Sequence, residues 1–167
     1  AMLTGMGSLS YGELAGERMK LGLMLKDPEE EHDCFSDNTH MSHWLDGVGI
    51  RNVYLGRYER PDGSVVEGPS LSALVAAKAP EVDAQLKAEL DASVGALGAI
   101  KAAAEDGLAY DQMLAPGNAE GETLITAAVE ALVTQTRSIE RAVVALGLDG
   151  LTIEGSDSLD APDAVFQ

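Results

Sequence analysis

Residues 125–146 read ITAAVEALVTQTRSIERAVVAL. Ile125, Ala128, Leu132, Gln135 or Thr136, Ile139, Val143 and Leu146 recur at gaps of three and four. That repeat puts them on one face of an α-helix and makes the face a bundle seam. Gly147 stands where a glycine commonly ends a helix. The pattern predicts a long last helix from about Glu120 to Leu146.

Working outward, residues from Pro80 to about Asp106 carry Val82, Leu86, Leu90, Leu97 and Ile100 at helical spacing, with Pro80 in the first turn and Gly107 as terminator. Ser70 is placed to cap a short helix from Leu71 to about Lys78. Leu108 to Asn118, rich in turn formers, is expected to be a loop. Upstream, Ser36 or Asp37 is expected to cap a helix running to about Arg60. Its buried stripe would be Met41, Trp44, Leu45, Val48, Asn52 and Leu55. Arg60-Pro61-Asp62-Gly63-Ser64 is a turn by composition.

Residues 3–25 read as a first helix unusually rich in glycine: Gly5, Gly7, Gly12, Gly16 and Gly22. Gly12 and Gly16 share a face on which another backbone could approach closely, and a further domain is expected to cover it. Glu13 and Glu17 fall one α-helical turn apart on another face. Asp27-Pro28 ends this helix, because the ring of Pro28 disfavours helical geometry before it. After Leu148 the chain is acidic, with Gly, Ser and Pro, and is expected to be extended or mobile. The expectation is an all-α protein: one up-down helical bundle over residues 1–148, followed by an acidic tail over 149–167.

Composition agrees. Of 167 residues, 46% are hydrophobic but only 4% aromatic, which suits close-packed Ala- and Leu-rich helices better than pleated faces. A net charge of −17 repels phosphate backbones and anionic lipid, so nucleic acid is not expected as a partner. The single cysteine cannot form an internal disulfide. No apolar run is long enough to span a membrane. The opening residues Ala1 to Met6 resemble a helix interior, and an export signal is expected to precede them.

Chemistry concentrates in residues 27–43, DPEEEHDCFSDNTHMSH. The stretch holds all three histidines, the cysteine, and the carboxylates Asp27, Glu29, Glu30, Glu31, Asp33 and Asp37. Imidazole and carboxylate together suit iron, zinc or copper. His40 and His43 stand at i, i+3 with Asp37 one turn earlier, and His32 could join them from the loop. The competing reading is a set of solvated acids with histidines in local caps. Cys34 is expected to be a buried structural thiol, since no Cys-His signature surrounds it. There is no H-E-x-x-H peptidase motif and no G-x-G-x-x-G after a strand. Arg51, Arg57 and Arg60 are expected to form ion pairs.

Several segments in order carry a resemblance. Leu3-Thr4-Gly5-Met6-Gly7 leads to Gly16-Glu17-Arg18-Met19. Glu29 to His40, EEEHDCFSDNTH, follows. Then come Asn52-Val53-Tyr54-Leu55-Gly56, Gly68-Pro69-Ser70-Leu71 and Tyr110-Asp111-Gln112. This set resembles the imelysin family, in its iron-regulated protein A branch, and corresponds to the C-terminal half of a full-length member. The resemblance implies an exported bacterial protein, periplasmic or outer-membrane associated, with any membrane attachment outside this chain. It implies two helical bundles with a functional site where they meet, so that the N-terminal half of the same protein is a partner. It also implies a link to iron regulation and uptake.

Carried over residue by residue, the functional interface would comprise Glu17, Arg18, His32, Cys34, Ser36, Asp37, Asn38 and His40. His43 lies outside the motif, and its inclusion as a ligand rests on helical spacing alone. The family is grouped with the M75 peptidases through a G-x-H-x-x-E motif. That motif is absent from this chain and belongs to the N-terminal half. Two readings therefore stand: metal or ligand binding for acquisition in the envelope, with iron or zinc as the cofactor, and a metallopeptidase whose metal ligands lie outside this chain.

Overall fold

The computed structural model describes residues 1–148, 150 and 152–166. Asp149, Leu151 and Gln167 of the expected tail lie outside the described residues. Among the described residues the fold is all-α apart from one small hairpin, and its long helices form a bundle.

The first helix is continuous but changes register twice. It is α-helical over α1 (Met2–Ser8), π-helical over Leu9–Lys20, and α-helical again over α2 (Leu21–Leu25). π-Helix is rare beyond a single turn and gathers at functional positions. It alters which residues share a face, so the α-helical spacing expected for Glu13 and Glu17 does not apply. Glu13 pairs instead with Arg18, five residues on, and Glu17 accepts a hydrogen bond from Ser156.

α3 (Thr39–Leu55) ends at Gly56, whose φ of 61° permits the left-handed turn. An exposed antiparallel hairpin follows, β1 (Arg57–Glu59) with β2 (Val65–Glu67). The helix expected to reach Arg60 therefore stops five residues early. The turn expected at 60–64 becomes the hairpin loop. Ser70 caps α4 (Leu71–Ala76) through its Oγ, which accepts from Ala73 N. α5 (Pro80–Glu105) and α7 (Ala119–Ala145) are the long antiparallel pair at the centre. Leu86, Leu90, Leu97 and Ile100 of α5 are buried, as are Ile125, Ala128, Leu132, Ile139 and Val143 of α7. These are the stripes the periodicity predicts. The polar members of the α7 seam are buried too and bonded: Gln135 Nε2 donates to Ser10 Oγ at 2.8 Å, and Ser93 Oγ donates to Gln135 Oε1 at 2.5 Å.

The loop expected over 108–118 contains a short helix, α6 (Tyr110–Leu114), with Tyr110, Met113 and Leu114 all buried. Its composition is that of a turn, but three large apolar rings and chains at i, i+3 and i+4 bury themselves against α7. Gly121 makes this approach possible, because a Cβ there would overlap the Met113 backbone.

The C-terminal segment departs most from expectation. Residues 153–160 lie along the first helix, ending in α8 (Asp157–Asp160) and a 3-10 turn over Pro162–Phe166. A Cβ at Gly7 would come within 2.6 Å of Ile153 Cδ1. One at Gly12 would come within 2.6 Å of the Glu154 carbonyl oxygen. The glycine face is thus covered by the chain's own C-terminal segment rather than by another domain. No helix among the described residues is long and apolar enough to cross a membrane.

Candidate functional site

The elbow between α2 and α3 is built by local chemistry. Lys26 closes α2 in the left-handed region, and the Asp27 side chain accepts from Glu29 N to start the 3-10 turn Pro28–Glu30. A second 3-10 turn, Cys34–Ser36, ends at Asp37 with φ 49°. Asn38, rather than Ser36 or Asp37, occupies the N-cap of α3, and it makes no side-chain cap bond.

Thr39 staples the elbow to the helix. Its Oγ1 donates to Glu31 Oε2 at 2.9 Å and accepts from Asp33 N at 3.0 Å. Ser42 Oγ donates to Asp33 Oδ2. Glu31 is buried by this arrangement. Burial raises its pKa, the Thr39 bond opposes the rise, and the nearby Asp111, Asp37 and Asp33 charges add to it.

Arg18 crosses to the elbow from the π segment. Its Nε and Nη2 donate to Glu13 Oε1 at 3.0 and 2.7 Å, and its Nη1 donates to Asp46 Oδ2 at 3.0 Å. Burial raises the Asp46 pKa, and Arg18 partly restrains it.

α3 turns differently from the expected stripe. Thr39, His43, Gly47, Ile50 and Tyr54 face inward, while Leu45 is exposed and Trp44 half-buried. The reason is packing space: Gly47 lets Leu97 lie directly on the helix, which sets its rotation. His43 is consequently in the interior, with no solvent exposure. Its ring meets Tyr110 edge to face, centroids 5.1 Å apart at 87°. Among the described residues neither ring nitrogen nor the Tyr110 hydroxyl has a hydrogen-bond partner of good geometry, although the Arg18 backbone lies near enough to the imidazole to favour its charged form. Burial first, then the charges of Arg18 and His32, push the His43 pKa down to about 3. The imidazole is therefore neutral at physiological pH.

The other candidates separate into two groups. His32, Cys34, Ser36, Asp37 and Asn38 are exposed on the elbow, and Phe35 among them is fully exposed. Glu17 faces the C-terminal segment, away from this group. His40 is half-buried, with Nδ1 buried and unpartnered. Cys34 is a free exposed thiol, not the buried one expected, because the tight 3-10 turn points it away from the bundle. Partial desolvation and the Glu29, Glu31 and Asp111 carboxylates raise its pKa, which disfavours the nucleophilic thiolate.

As a metal site the elbow is incomplete by itself. Among the described residues no group of three or more His, Cys, Asp or Glu side chains is placed to hold a metal ion. Of the proposed set His32, Asp37, His40 and His43, the last points into the core while His32 and Asp37 are exposed. Thr39, Asp46, Glu13 and Tyr110, which organise the elbow, were not legible as site residues. Tyr110 was discernible only as part of the Tyr110-Asp111-Gln112 segment.

A family model described as Peptidase_M75, Imelysin, matches residues 1–139. None of the curated proteins matches the chain.

Proposed function

The chain belongs to the imelysin family, and on that premise we propose that it is an exported binding protein serving iron or other metal acquisition in the bacterial envelope. In this reading the elbow is one wall of an interface with a second imelysin-type half, and the metal or ligand is bound at or near that interface. Iron or zinc would be held by donors from both sides, with His32 and Asp37 the elbow's exposed contributors.

The observation that carries this reading is the exposure of Phe35. A full aromatic ring stands in solvent on a turn whose base is anchored by Glu31, Asp33 and Thr39. Aromatic side chains are enriched at interfaces, and this one stands among the elbow's exposed donors, free to dock against a second surface. The surrounding donors, incomplete as a ligand set, are consistent with a site finished by another surface.

The peptidase reading gains nothing from this chain. The Arg18 guanidinium, its best candidate for polarising a carbonyl, is engaged by Glu13 and Asp46.

Metal content measured by mass spectrometry tests the proposal. The chain alone and the chain joined to a G-x-H-x-x-E-bearing half are dialysed against trace iron and zinc. Stoichiometric metal only in the joined protein, lost on Phe35→Ser, is the expected result. Metal in neither sample overturns the metal assignment. Peptide cleavage by the joined protein would replace acquisition with the peptidase.

A further inference from the structure

The C-terminal segment does more than cover the glycine face. Four side-chain bonds tie it to the first helix. Glu154 N donates to Ser8 Oγ at 3.1 Å, and Ser156 Oγ donates to Glu17 Oε1 at 2.5 Å. Ser158 Oγ donates to the Gly16 carbonyl at 3.0 Å, and the Tyr11 hydroxyl donates to Asp160 Oδ1 at 2.7 Å. Ser156 and Ser158 are buried by the contact. Three of the four partners on the helix (Tyr11, Gly16 and Glu17) belong to its π-helical stretch.

The register of that stretch links two faces. In an α-helix, residues five apart point roughly 140° away from each other. In the i→i+5 bonding of a π-helix they come onto the same side of the helix. Tyr11, Gly12, Gly16 and Glu17, which meet the segment, all lie in this stretch. Glu13 and Arg18, also within it, are five apart and form an ion pair. One register therefore serves both contacts. Relaxation to α-helix would swing Arg18 out of line with Glu13 and rotate Tyr11, Gly16 and Glu17 relative to one another. Glu17, gripped by Ser156, directly precedes Arg18, which spans to Asp46 on α3.

We infer that residues 153–160 form a strap that holds the first helix in its π register and thereby positions Arg18 at the elbow. The strap makes the Arg18–Asp46 contact conditional on the C-terminal segment being seated. This device stands on the packing alone and does not depend on what the elbow binds.

Gly12→Ala in the full chain tests it. Alanine favours helix in itself, but its methyl would press on the backbone oxygens of Glu154 and Gly155, at 2.6 and 2.8 Å, and must unseat the strap. Hydrogen exchange followed by NMR reads the Glu154 and Ser156 amides, the amides of residues 9–20 and the Arg18 Nε–H. The expected result is exchange at least tenfold faster at all three places, with the α5 and α7 amides unchanged. A double variant, Ser156→Ala with Ser158→Ala, removes bonds without adding bulk and should move the same signals in the same direction. It decides the matter on the same readouts if Gly12→Ala fails to fold. Faster exchange in the strap with unchanged Arg18 Nε–H would overturn the inference. Unchanged strap amides would do so as well.

Discussion

The imidazole of His43 stands edge-on to the phenol ring of Tyr110 in the interior, and among the described residues neither makes a side-chain hydrogen bond. This places an ionisable group where only its neutral form is tolerated, with the pKa down at about 3. The folded pKa lies below the unfolded value of about 6.5. The contribution to stability is therefore full above pH ~6.5 and is lost as pH falls towards 3. His43→Leu removes that dependence. Urea denaturation at pH 7 and pH 4 should show the variant losing less stability between the two than the wild type, by on the order of 2 kcal/mol. At pH 7 the variant should be no less stable, because an apolar side chain replaces a buried, poorly bonded imidazole. A parallel loss in both proteins would refute the assignment.

Asp83 is a second buried ionisable group with consequences. It accepts from Tyr54 at 2.9 Å and Ser72 at 2.6 Å, and pairs with Lys87 at 2.6 Å. Burial alone would raise its pKa. The bonds from Lys87, Ser72 and Tyr54 outweigh that and bring it below the usual value. Its stabilisation is thus present above about pH 4 and lost as pH falls further. Asp83→Ala strands the buried Tyr54 hydroxyl and should cost about 2–3 kcal/mol at pH 7. Tyr54→Phe made in that background should recover part of it. Chemical denaturation of the two variants measures both.

Gly121→Ala should be among the most damaging small changes in the chain. The added methyl would run into the backbone and Cβ of Met113, and α6 cannot move away without exposing Tyr110, Met113 and Leu114. A loss of about 1–3 kcal/mol is expected from overpacking. By contrast, Gly95→Ala, where a Cβ meets nothing, should be neutral or slightly stabilising. Thermal melts of the pair provide the comparison.

Phe35→Ser should leave the melting temperature of this chain within about a degree or two, since the ring touches solvent on all sides. If the same change lowered the chain's own stability by more than about 1 kcal/mol, the ring would have a structural partner and its role as a docking residue would fail.

The bundle itself was written plainly in the chain. The α7 seam, the α5 stripe, Pro80 in a first turn, Ser70 as a cap, and Gly107 and Gly147 as terminators all appear where local rules put them. Each depends on contacts within a few residues, or on a periodicity that any partner surface would reward. The ordered segments from Leu3 to Gln112 were enough to identify the family that the match over residues 1–139 shows.

What the tertiary structure alone decided is the direction in which the chemistry points. Local spacing placed His40 and His43 together, but the fit of Leu97 on Gly47 rotates α3 so that His43 enters the core. Composition made residues 108–118 a loop, yet burial against α7 folds Tyr110–Leu114 into helix. The glycines of the first helix announced a close approach without naming what approaches. Their partner lies more than a hundred residues away in sequence. The π register around Gly12 and Gly16 is a property of the seated pair, because a rare backbone form persists only where distant contacts hold it. Helix type and amphipathic period are set by neighbours along the chain. Rotation, register and exposure are set by neighbours in space.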